Sequence, residues 1–240
     1  MVEKVKSKYI IEKIFGNIKN KRKLNIIKYN RRIKFRLNIN KEDLEIYITL
    51  KKFNNKFKIN IKDIDIRILD LSEKYIENEE LEDLVKIKFK EINSLLLTNN
   101  LISDIDILEK LNFKNLEKLD LCGNEILNIS ILAKVNFKEL KYLDLSGNKI
   151  SDINVFEKVS FKKLKKLSLN SNELTDINVL ENVNFKELNI LDLSNNEIID
   201  INILEKVNFK ELKELYLIGN EISDINILEK INIKELKYYI

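Results

Sequence analysis

The sequence predicts an α/β solenoid preceded by a small, basic helical module, and three observations carry that expectation. The first is a period: Asn100, Asn124, Asn148, Asn172, Asn196 and Asn220 stand 24 residues apart, and self-similarity at such a period signals a stacked repeat. The second is the apolar pattern ahead of each asparagine, a Leu-x-x-Leu-x-Leu unit such as Leu116, Leu119, Leu121 or Leu164, Leu167, Leu169, with Ile92, Leu95 and Leu97 opening the series. The third is an uneven charge. Residues 1 to 36 carry 13 Lys/Arg against Glu3 and Glu12, a net of +11, and the remainder sets 30 basic against 37 acidic residues. Such asymmetry marks a module boundary.

Each column of the repeat has one task. Leu-x-Leu alternation turns two leucines inward and the intervening residues outward, as a strand requires. One repeat cannot cover its own apolar side, so turns stack at the strand spacing of roughly 4.8 Å, and eight strands span about 35 Å. The asparagine side chain is expected to satisfy backbone groups where the strand bends away, forming a ladder. A second column, Asp104, Asn128, Asp152, Asp176, Asp200 and Asp224, invites a metal site because carboxylates recur in register. Its place just before a short apolar segment, such as Val155 to Val159, is that of a helix N-cap. Phe113, Phe137, Phe161, Phe185 and Phe209 are expected in the core.

Repeated on this period, LxxLxLxxNxI resembles the leucine-rich repeat. The resemblance covers residues 66–240 and implies a curved solenoid with a parallel β-sheet on its concave side and short helices on its convex side. It also implies a scaffold that binds another protein rather than an enzyme. Ile66, Leu69, Leu71 and Ile76 form a degenerate entry turn, with Lys74 in place of the asparagine and a step of 26 to the next repeat. Leu236 to Ile240 begins a further strand unit.

Residues 1–40 are expected to form the basic module, with two short helices: Ile11, Ile14, Phe15 and Ile18 lie at helical spacing in the first, Leu24 and Ile27 in the second. The run Tyr9 to Phe15 followed by Ile18, Leu24 and Ile27 is similar to a degenerate F-box. That resemblance implies adaptor docking through Ile11, Ile14, Phe15 and Ile18, and an alternative role as substrate receptor of a cullin-type ubiquitin ligase. Residues 41–65, with Ile46, Ile48, Phe53, Phe57, Ile59 and Ile61, read as strand-like pieces around Asn54-Asn55 that cap the first repeat.

Composition narrows the function. The chain has no histidine, which removes the commonest general base and zinc ligand. It has no glycine-rich phosphate loop and only four glycines. No catalytic residues, metal site or cofactor are therefore expected. No apolar run is long enough to span a bilayer, and a lone cysteine, Cys122, forms no internal disulfide. These features point to a cytoplasmic protein. Lys19, Lys21, Arg22, Lys23, Arg31, Arg32, Lys34 and Arg36 could meet nucleic acid or an acidic membrane surface, but a solvated helical face is the expected reading, so nucleic acid is not the expected partner.

What remains free to vary is the outward set on each strand: Lys118, Asp120 and Cys122; Tyr142, Asp144 and Ser146; Lys166, Ser168 and Asn170; Ile190, Asp192 and Ser194; Glu214, Tyr216 and Ile218. Aromatic anchors among polar groups recur at interfaces. The expected partner-binding residues on the concave face are therefore Lys118, Asp120, Tyr142, Asp144, Lys166, Asn170, Ile190, Asp192, Glu214, Tyr216 and Ile218. Cys122 takes the place of a small residue in a Ser/Asn column.

Overall fold

The computed structural model describes residues 41–62, 64–89, 91–230 and 237–239, and the chain divides into two compact units, Met1–Lys62 and Asp63–Ile240. In the first unit, Lys41–Phe57 is a helix, α1. This corrects the strand-like reading. Ile46, Leu50, Phe53 and Phe57 stand at helical spacing, no glycine or proline interrupts them, and the last three are buried; a stripe of that width decides for helix over alternation. Asn54 closes the helix rather than a hairpin: its Nδ2 donates to Ile61 O (2.7 Å) and its Oδ1 accepts from the Ile61 N–H (2.9 Å). The chain leaves through Lys58 in the left-handed region, φ 52°.

The second unit is built on eight parallel strands in chain order. They are β1 (Ile68–Asp70), β2 (Ser94–Leu96), β3 (Lys118–Asp120), β4 (Tyr142–Asp144), β5 (Lys166–Ser168), β6 (Ile190–Asp192), β7 (Glu214–Tyr216) and β8 (Lys237–Tyr239). Leu69, Leu95, Leu119, Leu143, Leu167, Leu191 and Leu215 fall in one column of the register, and each is buried. Hydrogen-bonded neighbours one repeat away thus share their leucines in a single core.

A 24-residue turn leaves little chain for the return. After α2 (Asn78–Ile87), the return arms are 3₁₀ turns: Asp106–Lys110, Ser130–Ala133, Asn154–Glu157, Asn178–Glu181 and Asn202–Glu205. A single α-helical turn, α3 (Ile227–Lys230), follows. The tighter 3₁₀ winding suits short connecting pieces. The carboxylate and asparagine column does not take the expected N-cap positions, which are Ile105, Ile129, Ile153, Ile177 and Ile201 without a side-chain cap bond. Asp104, Asn128, Asp152, Asp176, Asp200 and Asp224 instead each accept from the N–H two residues on, at 2.7–2.9 Å, which turns the chain into the arm. Beneath them, Leu108, Leu132, Phe156, Leu180 and Leu204 are buried with the five phenylalanines that lead back to the strands. Phe156 meets Phe185 edge-on, with ring centroids 5.7 Å apart.

The asparagine ladder is continuous. Asn148 shows its parts: Oδ1 accepts from the Ile126 N–H of the preceding repeat (3.0 Å), while Nδ2 donates to Leu121 O (3.0 Å) and Leu145 O (2.9 Å). Asn100, Asn124, Asn172, Asn196 and Asn220 repeat the pattern. In the entry turn, where Lys74 replaces the asparagine, its backbone N–H donates to Asn100 Oδ1 (3.0 Å).

Just ahead of each ladder position the backbone turns left-handed: Glu73, Asn99, Gly123, Gly147, Ser171, Asn195 and Gly219 all have φ between 51° and 72°. Three of the protein's four glycines stand in this one column. A Cβ on Gly123 would meet Asn99 Oδ1 at 2.2 Å, whereas one on Gly147 would meet the Gly123 backbone at ordinary contact distance, N at 3.4 Å and Cα at 3.5 Å.

The repeat departs from its period at the last step. Ile190 pairs with Glu214, 24 residues on, but Glu214 pairs with Lys237, 23 residues on. The register therefore sets Tyr238 against Leu215 and Tyr239 against Tyr216.

Replacing Asn148 by alanine removes the acceptor of a buried N–H and the donor to two buried carbonyls, each unsatisfied group costing about 1–3 kcal/mol. Urea unfolding should show a loss of about 3 kcal/mol or more, against a change within about 0.5 kcal/mol for Lys149→Ala on the surface beside it. Gly123→Ala should destabilise more than Gly147→Ala, because both incur the left-handed penalty but only the first meets the Asn99 side chain.

Candidate functional site: the outward face of the sheet

The strand pleat sends the residues flanking each core leucine to the opposite face, where they line up across the strands. One column runs Ile68, Ser94, Lys118, Tyr142, Lys166, Ile190, Glu214 and Lys237; the next runs Asp70, Leu96, Asp120, Asp144, Ser168, Asp192, Tyr216 and Tyr239. A third, just beyond the strands, holds Ser72, Thr98, Cys122, Ser146, Asn170, Ser194 and Ile218.

All eleven expected contact residues lie in these columns. Tyr142 and Ile218 are the most open, at 45% and 48% exposure. Lys118, Asp120, Asp144, Lys166, Asn170, Ile190, Asp192, Glu214 and Tyr216 are half-buried. Ile11, Ile14, Phe15 and Ile18 lie outside the described residues.

The aspartates carry a structural duty that the sequence reading missed. Asp70, Asp120, Asp144 and Asp192 each use Oδ1 to accept the N–H two residues on, at 3.0–3.3 Å, from Ser72, Cys122, Ser146 and Ser194. The carboxylate thereby holds the strand's exit. An aspartate two places before a serine is the signal that could have revealed it. Asp120 is further engaged by the Thr98 hydroxyl, which donates to Oδ1 (2.8 Å), and by Lys118, whose Nζ stands 3.3 Å from Oδ2. The Ser146 hydroxyl donates to Ser168 Oγ (2.9 Å).

Cys122 is half-buried, and burial, reinforced by the Asp144 and Asp120 charges, pushes its thiol upward. The thiolate that nucleophilic chemistry requires is disfavoured there. Among the described residues no group of three His, Cys, Asp or Glu side chains could hold a metal ion.

Tyr239 is a face residue that the 24-residue step conceals. Its ring stacks on Tyr216 with centroids 4.5 Å apart and planes 6° from parallel. The legible clue is the likeness of Tyr238-Tyr239-Ile240 to Leu215-Tyr216-Leu217, offset by one residue. The Tyr216 hydroxyl donates to Glu214 Oε2 (2.7 Å). That bond, followed by desolvation and the charges of Glu214, Tyr239 and Asp192, pushes the phenol up to about 12. Removing the Glu214 charge with Glu214→Gln should bring Tyr216 ionisation back towards its ordinary 10.0. A pH titration of the Tyr216 ring carbon by NMR reads this directly, and an unchanged midpoint would contradict the hydrogen-bond assignment.

Comparison with known proteins agrees with this geometry. A family model for two copies of the leucine-rich repeat matches residues 138–182. No curated protein is significantly similar in sequence. Among solved structures, an internalin from Listeria monocytogenes is similar at 29% identity and a TM-score of 0.60, over 73% of this chain and 47% of the internalin. This chain thus spans about half of that protein's length. A second internalin from the same bacterium matches at 23% identity and a TM-score of 0.56, over 81% of this chain and 96% of its own. A plant ice-binding protein matches at 20% identity with the same TM-score, over 72% and 56% of the two chains. The last two likenesses concern the fold alone. Period, register, asparagine ladder and structural likeness together make the second unit of this chain a leucine-rich-repeat solenoid.

Proposed function

We propose that the chain is a protein-interaction scaffold whose outward sheet face holds another protein, without catalysis. The observation that carries this reading is the split between the two sides of the strands. Inward, leucine occupies the central column from Leu69 to Leu215 without exception; outward, the register-matched positions run through serine, lysine, tyrosine, isoleucine and glutamate. A surface freed from packing duties and set with half-exposed aromatic and aliphatic anchors among charges has the composition of an interface. Leucine-rich-repeat folds generally serve as interaction scaffolds, in keeping with the repeat match. No helix among the described residues is long and apolar enough to cross a membrane.

Affinity capture with the full chain, compared with a Tyr142→Ala/Tyr216→Ala variant, tests the reading. Loss of two anchor side chains should weaken the captured partner by about 2 kcal/mol or more, roughly thirtyfold. Equal recovery by both forms, with unchanged thermal unfolding, would contradict it.

A further inference from the structure

The outward face changes character along the stack. In the column that follows the core leucine, Asp120, Asp144, Ser168 and Asp192 give way to Tyr216 and Tyr239. The 4.5 Å between the two ring centroids, with planes 6° from parallel, nearly equals the roughly 4.8 Å between adjacent strands. The rings therefore stand up from the sheet, and their faces look along the stack. Tyr239 covers one face of Tyr216. The other face is turned to β6, where the residue in register with Tyr216 is Asp192. Stacking on Tyr239 holds the ring in that pose, and its hydroxyl donates to Glu214 Oε2 (2.7 Å).

The aspartates of this column are not equivalent. Asp120 uses both oxygens, Oδ1 for the Thr98 hydroxyl and Oδ2 for Lys118. Asp144 and Asp192 use only Oδ1, for the Ser146 and Ser194 N–H groups (3.0 Å each), and among the described residues their Oδ2 atoms have no hydrogen-bond or ion-pair partner; of the two, Asp192 is the one in register with Tyr216. Glu214 adds a second carboxylate beside the ring. The lysines of the neighbourhood, Lys166 and Lys237, stand in the other column, and neither forms an ion pair with Asp192 or Glu214. An aromatic face next to an open carboxylate matches a cation that is flat and rich in donors. A guanidinium can stack on a ring and still direct two N–H groups to one carboxylate, whereas an ammonium is more strongly hydrated and has no plane to stack.

We propose that Tyr216 and Asp192 form a socket for an arginine side chain of the protein partner, the guanidinium lying on the free face of Tyr216 and donating to Asp192 Oδ2. The socket rests on the reading of the sheet face as the partner-binding surface and names one chemical feature of that partner.

The test is an NMR titration of the full chain with the peptide Ac-Gly-Arg-Gly-amide and with its citrulline and lysine counterparts. Citrulline keeps the shape of arginine and removes the charge. The arginine peptide should shift the Tyr216 ring and Asp192 signals saturably, with a Kd on the order of millimolar, and the citrulline peptide should bind about tenfold more weakly or not at all. Asp192→Asn should weaken the arginine peptide about fivefold or more, Asp144→Asn should leave it unchanged, and Tyr216→Phe, which keeps the stacked ring, should stay within about twofold. Equal binding of the citrulline peptide, an equal loss with Asp144→Asn, or loss of binding with Tyr216→Phe would each overturn the socket. A failed titration, with partner capture still dependent on Tyr142 and Tyr216, removes the socket and leaves the face. Peptide binding with capture indifferent to those tyrosines removes the face as the partner's surface instead.

Discussion

The fold depends on one hydrogen-bonded side chain per turn. Each coil must leave its strand sharply, and the backbone groups released there are buried beneath the next coil, where an unpaired carbonyl or N–H is costly. The asparagine amide resolves this with one acceptor and two donors placed so that it serves its own repeat and the one before it, as Asn148 does with Leu145 and with Leu121 and Ile126. Aspartate lacks the donors and leucine lacks both, which is why the column is strict. The neighbouring left-handed column follows from the same bend and admits glycine, asparagine, serine and, at the entry turn, Glu73.

Once the exits are satisfied, the leucine column can be covered by stacking alone, and stability is shared between adjacent coils. The ion pairs that link neighbouring repeats, Lys141–Glu117 (2.9 Å), Lys149–Glu125 (3.2 Å) and Lys163–Glu139 (2.6 Å), sit at the surface and contribute little individually. Core and ladder thus bear the architecture, and the outward columns are released for recognition. The face they make is uneven: the Thr98 hydroxyl and a fully engaged Asp120 at its start, carboxylates with one open oxygen at Asp144 and Asp192, and stacked aromatic rings on β7 and β8.

Much of this was legible before any coordinates. The period gave the register and the alternation gave the core leucines, because each is a one-dimensional signal of a repeating local geometry; the Asp/Asn column marked where the return arms begin, but its side chains turn the chain ahead of the N-cap positions rather than occupying them. Three features were not. Residues 41–57 contain isoleucines two apart that mimic a strand, and the helix is decided by the wider spacing of Leu50, Phe53 and Phe57. The ties from Asp120, Asp144 and Asp192 to backbone N–H groups are local, and by strand alternation these residues read only as outward contact residues. The 23-residue step to β8 hides Tyr239, since a slip of one residue exchanges the two faces of a strand. Contacts at the face are harder to read than the core because recognition has no period.

Spin labels on the outward face measure the stacking most directly. With Cys122 replaced by serine, pairs at Lys118 and Lys166, Lys118 and Ile190, and Lys118 and Glu214 span two, three and four strand steps. Their backbone separations should rise in near-even increments of about 4.8 Å, reaching roughly 19 Å for the last pair. Separations that failed to grow with the number of repeats, or that scattered broadly, would contradict a continuous stack of coils in register.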